Sequence, residues 1–184
     1  MSALTGDFTD CTVFIYDIDG THLANTVVKT HDKGAQQIQV GFMPFELGIN
    51  DNCKLLILSS PTPCEYQGKV KRVGGNQFIA MFQGQEKESR SSSRYPVNTP
   101  ALIDALIVDG EPHVVQTPIE VTLINISTSG VRFRAPFYSF EDGDSFQMHM
   151  VISNNKKRII AKVVNHLDNE PDHSDYGCLF LEIE

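Results

Sequence analysis

"IEVTLINISTSGVRFRA", residues 119 to 135, contains two alternating segments on either side of a short polar turn. Apolar residues alternate with polar ones on both sides of that turn, at Ile119, Val121 and Leu123, and again at Val131, Phe133 and Ala135. A period of two residues is typical of a strand with one buried face. Serine, threonine and glycine between the segments favour a tight connection. The stretch therefore predicts two neighbouring β-strands.

The same period recurs along much of the chain. Further strands are predicted for the segments CKLLIL, YQGKVKRV, QFIAMF, SFQMHMVI, RIIAKVV and YGCLFLEI. Glycine, asparagine, aspartate, serine and proline separate them at short intervals. We expect helix only as single turns, near Pro136 to Glu141 and around Phe45 to Leu47. The sequence thus predicts an all-β protein.

The order of elements occurs twice, which predicts two related domains. A glycine turn, a strand, a lysine-bearing strand and a phenylalanine-bearing strand follow one another in each half, with the landmark pairs Gly48 and Gly143, Lys69 and Lys162, Phe82 and Phe180. Two small antiparallel β-barrels of the split-barrel type would explain this repeat.

A segment of different composition separates the halves. Residues 83–100 contain four serines between positions 89 and 93, two prolines and no apolar periodicity. This composition is typical of a flexible linker. We therefore predict an N-terminal barrel over residues 1–86, a linker that carries two arginines over 87–98, and a second barrel over 99–184.

Composition limits the possible partners and compartment. The 184-residue chain has a formal net charge of −8, which disfavours general binding to DNA, RNA or anionic lipid. A local exception lies between Lys69 and Arg94, where six basic residues accompany two acidic ones. The longest apolar run has five residues, so no membrane span is predicted. No secretory signal is visible, which favours the cytoplasm.

Metal and redox chemistry are not predicted. The four cysteines lie far apart, without the close spacing of a zinc clamp or a redox pair, and are interpreted as reduced, partly buried thiols. His166 and His173 flank an acidic segment that is more simply explained as a solvated loop. We predict no metal site and no catalytic residues.

One motif raises the possibility of an enzyme. Asp17-Ile18-Asp19-Gly20-Thr21 follows four apolar residues and is similar to the opening motif of haloacid dehalogenase-type phosphatases. Such enzymes need a crossover helix and a parallel neighbouring strand after this motif. Here the chain continues with another alternating segment, and Asp-Gly between two such segments indicates a hairpin turn. We therefore interpret Asp17 and Asp19 as turn residues and keep the phosphatase as a minor alternative.

The second half carries two further motifs in order. Arg90 and Arg94 have the spacing RxxxR, and Asn125, Ser127 and Gly130 fit (D/N)xSxxG. With these motifs, residues 87 to 184 resemble the PilZ domain. Residues 1 to 86 resemble the extra N-terminal barrel of two-domain, flagellar-brake-type PilZ proteins. The resemblance implies a non-catalytic receptor for cyclic di-GMP, whose ligand-binding residues would be these five.

The chemistry of the five residues fits that ligand. Arginine forks can bond guanine O6 and N7 or a phosphate, or stack on a base. Asn125 can donate and accept at a base edge, Ser127 can donate to phosphate, and Gly130 would let the backbone approach the ligand. Alternatively, the arginines are simply solvated and the second motif is a self-bonded turn, as in a protein-interaction module that binds no nucleotide.

Two features of the sequence depart from the family pattern. The residue before the first arginine, which in the family helps decide whether one nucleotide or a stacked pair binds, is Ser89. Glu184 comes directly after the last predicted strand, in place of the C-terminal helix that often follows that strand in the family. Nucleotide stoichiometry, oligomeric state and the partner that receives the signal are not predicted.

Overall fold

The computed structural model describes residues 6–60, 62–82, 93–136, 139–152, 155–170 and 172–184, and these residues form twelve strands and no helix. The strands are β1 (Thr12–Tyr16), β2 (His22–Asp32), β3 (Gln37–Val40), β4 (Asn52–Leu58), β5 (Cys64–Val73), β6 (Asn76–Phe82), β7 (Tyr95–Val108), β8 (Glu111–Ile126), β9 (Gly130–Pro136), β10 (Ser145–Ile152), β11 (Asn155–Glu170) and β12 (His173–Ile183). Nowhere in these ranges is there a helix suited to crossing a membrane.

As predicted, the strands close into two antiparallel barrels, and each barrel has six strands. The first has the order β1-β2-β3-β6-β5-β4, and the second has the order β7-β8-β9-β12-β11-β10. Strand for strand these orders are the same, so the predicted repeat is confirmed. The chain divides accordingly into two compact units, Met1–Ser59 with Pro63–Ser91, and Ser60–Thr62 with Ser92–Glu184.

The turns that enter β4 and β10 show how the repeat aligns. The N–H of Asn50 donates to the carbonyl of Val70, and that of Gly143 donates to the carbonyl of Val163, at 2.8 and 3.0 Å. Asn50 and Gly143 also both have positive φ, 75° and 102°. Gly143 therefore corresponds to Asn50, and the predicted match with Gly48 was wrong. Asparagine tolerates the left-handed conformation that glycine adopts freely. The two turns can therefore share a backbone conformation while carrying different residues, so the sequence alone does not show that Asn50 and Gly143 are equivalent.

The other landmarks align almost as predicted. Lys69 and Lys162 keep the same offset as the two turns and lie on the equivalent strands β5 and β11. Phe180 faces Ala161 across the ladder, as Met81 faces Gly68 in the first barrel. The counterpart of Phe180 is therefore Met81, and the predicted match with Phe82 was wrong by one residue.

Each barrel has its own apolar core. The core of the first barrel consists mainly of aliphatic side chains from β1, β4, β5 and β6, closed by Phe8 and Tyr66. The second is more aromatic, since the ring of Phe133 packs on Phe140, Phe146 and Tyr176 with centroid distances of 5.3 to 5.8 Å. Burial of apolar side chains, aliphatic or aromatic, is the main stabilising term of each barrel.

Strand β7 begins inside the segment that composition assigns to the linker. From Tyr95 to Ala101 its side chains alternate strictly between buried and exposed. Pro96 and Pro100 both lie on the exposed face, and the register with β8 shifts between Pro96 and Thr99. Proline is tolerated in strands at such irregularities because a ladder bond is already missing there. The two prolines thus obscured a strand whose buried positions follow the expected period.

No helical turn is found among the described residues of the two segments where one was expected. Phe45 and Glu46 lie in a hydrogen-bonded turn, in which the N–H of Leu47 donates to the carbonyl of Pro44 at 3.2 Å. Pro136 ends β9, residues 137 and 138 lie outside the described residues, and Ser139 to Glu141 are not helical. A segment of three to six residues is too short to nucleate a helix on its own, because the first helical turn is unfavourable without tertiary contacts.

Candidate functional site

The second motif lies at the turn between β8 and β9. Asn125 is the next-to-last residue of β8, Ser127 is in the turn, and Gly130 is the first residue of β9. Tyr95 pairs with Ile126, so Arg94, which directly precedes β7, lies at the same end of the barrel as this turn. The fold thus places four of the five predicted site residues at one end of the second barrel. Arg90 lies outside the described residues, as does Ser89.

The hydroxyl of Ser127 organises this turn. It accepts hydrogen bonds from the N–H groups of Ser129 and Gly130 at 3.3 and 3.2 Å, and it lies 3.3 Å from the carbonyl oxygen of Gly130 and from Oγ of Ser129. The side chain is buried, with the residue 6% exposed. Ser127 therefore acts first on the shape of the turn, as in other turns that bond their own backbone.

Gly130 is required by a close approach of two strands. A Cβ built on it would lie 2.1 Å from the carbonyl oxygen of Cys178, on the neighbouring strand β12. The N–H of Phe180 donates to the carbonyl of Ser129 at 3.0 Å and holds β12 against the turn. The sequence interpretation that the missing side chain leaves room for a ligand is therefore incomplete, since the neighbouring backbone already uses that room.

Arg94 and Asn125 are available to a ligand. Arg94 is exposed and Asn125 is half-buried. Within the described part of the chain, neither side chain has a hydrogen bond or an ion pair. An arginine fork and a carboxamide that can both donate and accept are suited to a base edge or a phosphate.

Sequence reasoning missed two residues on the outer face of the same barrel, Arg132 and Asn165. Arg132 pairs with Asn125 across the β8–β9 ladder, and Gly177 pairs with Arg132 on the other side. Asn165 in turn pairs with Gly177. The signal was present in the first hairpin, because the period of two that buries Val131 and Phe133 directs Arg132 to the outer face.

A cleft lies elsewhere on the second barrel. Its volume is about 680 Å³, and its lining includes Leu102, Glu120, Arg134, His149 and His173. None of the four described site residues lines it. The cleft is therefore separate from the site that the sequence motifs predict, which lies at the β8–β9 turn and on the adjoining outer face of the barrel.

The phosphatase-like motif, Asp17 to Thr21, forms the turn between β1 and β2. Oδ1 of Asp17 accepts hydrogen bonds from the N–H groups of Asp19 and Thr21 at 2.9 and 2.8 Å, and Gly20 has φ of 91°. The bond from the Thr21 backbone is the largest cause of the lowered pKa of Asp17. Strand β1 pairs antiparallel with both β2 and β4. The predicted hairpin is confirmed, and the parallel neighbour that phosphatase chemistry requires is replaced by antiparallel ones.

In the described part of the chain, the cysteines and acidic groups form neither a disulfide nor a cluster suited to a metal ion. All four cysteines are free thiols, and burial raises the pKa of Cys53 and Cys178 to about 12. At neutral pH those thiols are protonated and unreactive. Among the described residues no group of three or more histidine, cysteine or acidic side chains is placed to hold a metal ion.

Sequence comparison identifies the class of the second barrel. The profile of the PilZ domain family matches residues 87–184, about half of the chain. The protein therefore belongs to the PilZ domain family. The comparison with curated protein sequences gave no match.

Solved structures of several proteins are similar over most of the chain at low sequence identity. The inhibitor of motility MotI/DgrA of Bacillus subtilis is 13% identical, with a TM-score of 0.42, over 96% of this chain and 90% of that one. YcgR of Escherichia coli in complex with c-di-GMP is 11% identical, with a TM-score of 0.37, over 94% and 76%. The K. pneumonia MrkH–c-di-GMP complex is 12% identical, with a TM-score of 0.37, over 93% and 78%.

Proposed function

We propose that this protein is a cytoplasmic, non-catalytic receptor for cyclic di-GMP, which it binds through Arg90, Arg94, Asn125, Ser127 and Gly130. The observation that carries the proposal is the placement of Arg94 and Asn125 at one end of a PilZ barrel, where neither has an intramolecular partner in the described part of the chain. A guanidinium and a carboxamide that are not engaged within the protein can together donate to and accept from a nucleotide.

The proposed roles follow from the position of each residue. Arg90 and Arg94 bind as planar cations, either as forks on guanine O6 and N7 or on a phosphate. Asn125 reads a guanine edge. Ser127 and Gly130 hold the turn in the shape that presents Asn125, and a direct bond from the Ser127 hydroxyl to the ligand would have to replace one that it makes in the turn.

Binding would couple the two barrels. Arg90 and Arg94 lie in or next to the segment that joins them in sequence, while Asn125 belongs to the second barrel. A ligand that contacts both sets restrains the joining segment and so biases the arrangement of the barrels, which a partner protein can read. The output would be motility, biofilm formation or polysaccharide production.

Calorimetric titration with cyclic di-GMP tests the binding site. Arg94→Ala should lose about 1 to 3 kcal/mol of binding free energy, the value of a bidentate contact. Asn125→Ala should reduce the preference for cyclic di-GMP over cyclic di-AMP, whereas an equal loss for both nucleotides would contradict its role in base reading. Circular dichroism of each variant shows whether the barrels remain folded.

Small-angle scattering tests the switch. The radius of gyration of the wild-type protein should change when cyclic di-GMP is added, and proteolysis within residues 86–98 should slow. Binding without either change would exclude the switch while leaving the receptor intact.

One observation favours the alternative of a nucleotide-independent interaction module. Ser127 satisfies its own hydrogen bonds within the turn, as it would in a purely structural hairpin. Absence of any heat with cyclic di-GMP, together with a pull-down partner that is captured equally with and without nucleotide, would support that alternative.

A further inference from the structure

Arg132 is half-buried on the outer face of β9, directly opposite Asn125. Side chains of directly opposed residues in an antiparallel pair have Cβ atoms about 5 Å apart. A ligand that reaches the carboxamide of Asn125 therefore lies within reach of the longer side chain of Arg132. No short motif points to this residue, because its position depends on the register of the hairpin.

The guanidinium of Arg132 has no intramolecular partner among the described residues. Arg134, two residues further along the same face, is held by Asp175, with Nε 2.9 Å from Oδ1. Arg158 is held by Glu184 at 2.7 Å. A half-buried arginine that loses hydration without gaining a carboxylate is costly, which favours a role with an external partner.

A second polar side chain lies near Arg132 on the side of β12. Its neighbour on β12 is Gly177, where a Cβ would lie 2.3 Å from Oδ1 of Asn165. The carboxamide of Asn165 thus occupies the space that a side chain at Gly177 would fill, and lies closer to Arg132 than the separation of β9 and β11 suggests. Asn165 has no intramolecular hydrogen bond in the described residues. Arg132 is therefore flanked by two carboxamides, those of Asn125 and Asn165, that make no hydrogen bond to any other described residue.

We propose that Arg132 is a third arginine of the ligand site, one that forks onto the O6 and N7 edge of a guanine of cyclic di-GMP, with Asn165 as a second contact beyond Gly177. This inference rests on the proposed function. It extends the site from the turn across the outer face of β9, β12 and β11. Arginine is the common partner of that guanine edge, and adenine presents an amino group in place of the O6 acceptor.

Calorimetric titration of four variants tests the proposal, with Arg94→Ala as a reference for the motif site. Arg132→Ala should weaken cyclic di-GMP binding about 5- to 150-fold and reduce the preference over cyclic di-AMP. Arg132→Lys keeps the charge but not the fork, and should remain at least about fivefold weaker than wild type. Asn165→Ala should cost about 2- to 13-fold, the range for one hydrogen bond.

Arg134→Ala is the matched control. It removes the same charge from the same strand and face, but from a guanidinium already held by Asp175. Its affinity should stay within about twofold of wild type, with thermal denaturation confirming that the barrel is folded at the titration temperature.

The outcomes separate this inference from the proposed function. If the wild-type protein binds no cyclic di-GMP, the proposed function fails and the inference fails with it. If the wild-type protein binds and Arg94→Ala weakens binding, but Arg132→Ala matches Arg134→Ala, the inference alone is wrong. If lysine at position 132 restores wild-type affinity, the bidentate contact is wrong, and if Asn165→Ala binds like wild type, the second contact is wrong.

Discussion

Replacing Gly130 with alanine distinguishes a glycine needed by the fold from one needed by a ligand. The added Cβ would lie 2.1 Å from the carbonyl oxygen of Cys178, whereas ordinary contacts begin near 3.4 Å. Strands β9 and β12 would have to separate by about 1 Å, which stretches hydrogen bonds of normal length beyond bonding distance. The bond from the N–H of Phe180 to Ser129, now 3.0 Å, is the nearest to the strain.

The expected cost is about 3 kcal/mol of the free energy of unfolding. Loss of a backbone hydrogen bond that leaves a buried group unsatisfied costs about 1 to 3 kcal/mol. In the variant, the bond from the N–H of Ser127 to the carbonyl of Gly130, now 2.9 Å, would be strained as well. Urea denaturation followed by circular dichroism measures this loss. Gly110→Ala is a suitable control, because Gly110 has φ of 85° and open space around it. That variant should lose only about 1 to 2 kcal/mol from backbone strain.

The ligand provides the decisive comparison. Gly130→Ala should lose stability together with affinity for cyclic di-GMP, since the turn that presents Asn125 is distorted. A Gly130→Ala protein with wild-type stability and no binding would refute this reasoning, because the glycine would then serve the ligand alone.

Three further predictions concern the turn and the first barrel. Ser127→Ala should destabilise the protein by about 0.5 to 1.5 kcal/mol in urea denaturation even without nucleotide, and an effect on binding alone would contradict its role in the turn. Gly68→Ala should lower the unfolding free energy by about 1 to 3 kcal/mol by overpacking, because its Cβ would lie 2.4 Å from Ile79 and 2.9 Å from Cys53, and unchanged stability would contradict that contact. Burial lowers the pKa of His31 below its usual 6.5, so the unfolded chain binds the extra proton and stability falls as pH falls below about 6.5. Between pH 7.5 and pH 5, the melting temperature of His31→Phe should fall less than that of the wild-type protein. An equal fall in both proteins would exclude His31 as a cause of the pH dependence.

The β-fold and its repeat could be predicted because period two is a local signal. The strand from Ser145 to Ile152 matches its predicted segment at both ends. The strand β7 could not be predicted with equal ease, because prolines on its exposed face imitate a linker. The correspondence of Asn50 with Gly143 was hidden for a similar reason, since it rests on a shared backbone conformation rather than a shared residue.

The site shows a different limit. The motif residues Asn125, Ser127 and Gly130 were placed correctly at a strand-to-strand turn, because the turn is contiguous in sequence. The roles of Ser127 and Gly130 depend on contacts that sequence does not display, above all the approach of Cys178. Arg132 was missed because a single arginine on a strand carries no pattern until the register gives it a neighbour.

Nitrogen-15 NMR of the wild-type protein during titration with cyclic di-GMP tests both whether this nucleotide binds and which residues form its site. The account predicts saturable shifts of the backbone amides from Asn125 to Arg132, with changes at Arg94 and at Gly177. Titration with cyclic di-AMP should give weaker shifts at the same positions. A spectrum that does not change, or shifts confined to the cleft lined by His149 and His173, would contradict the account.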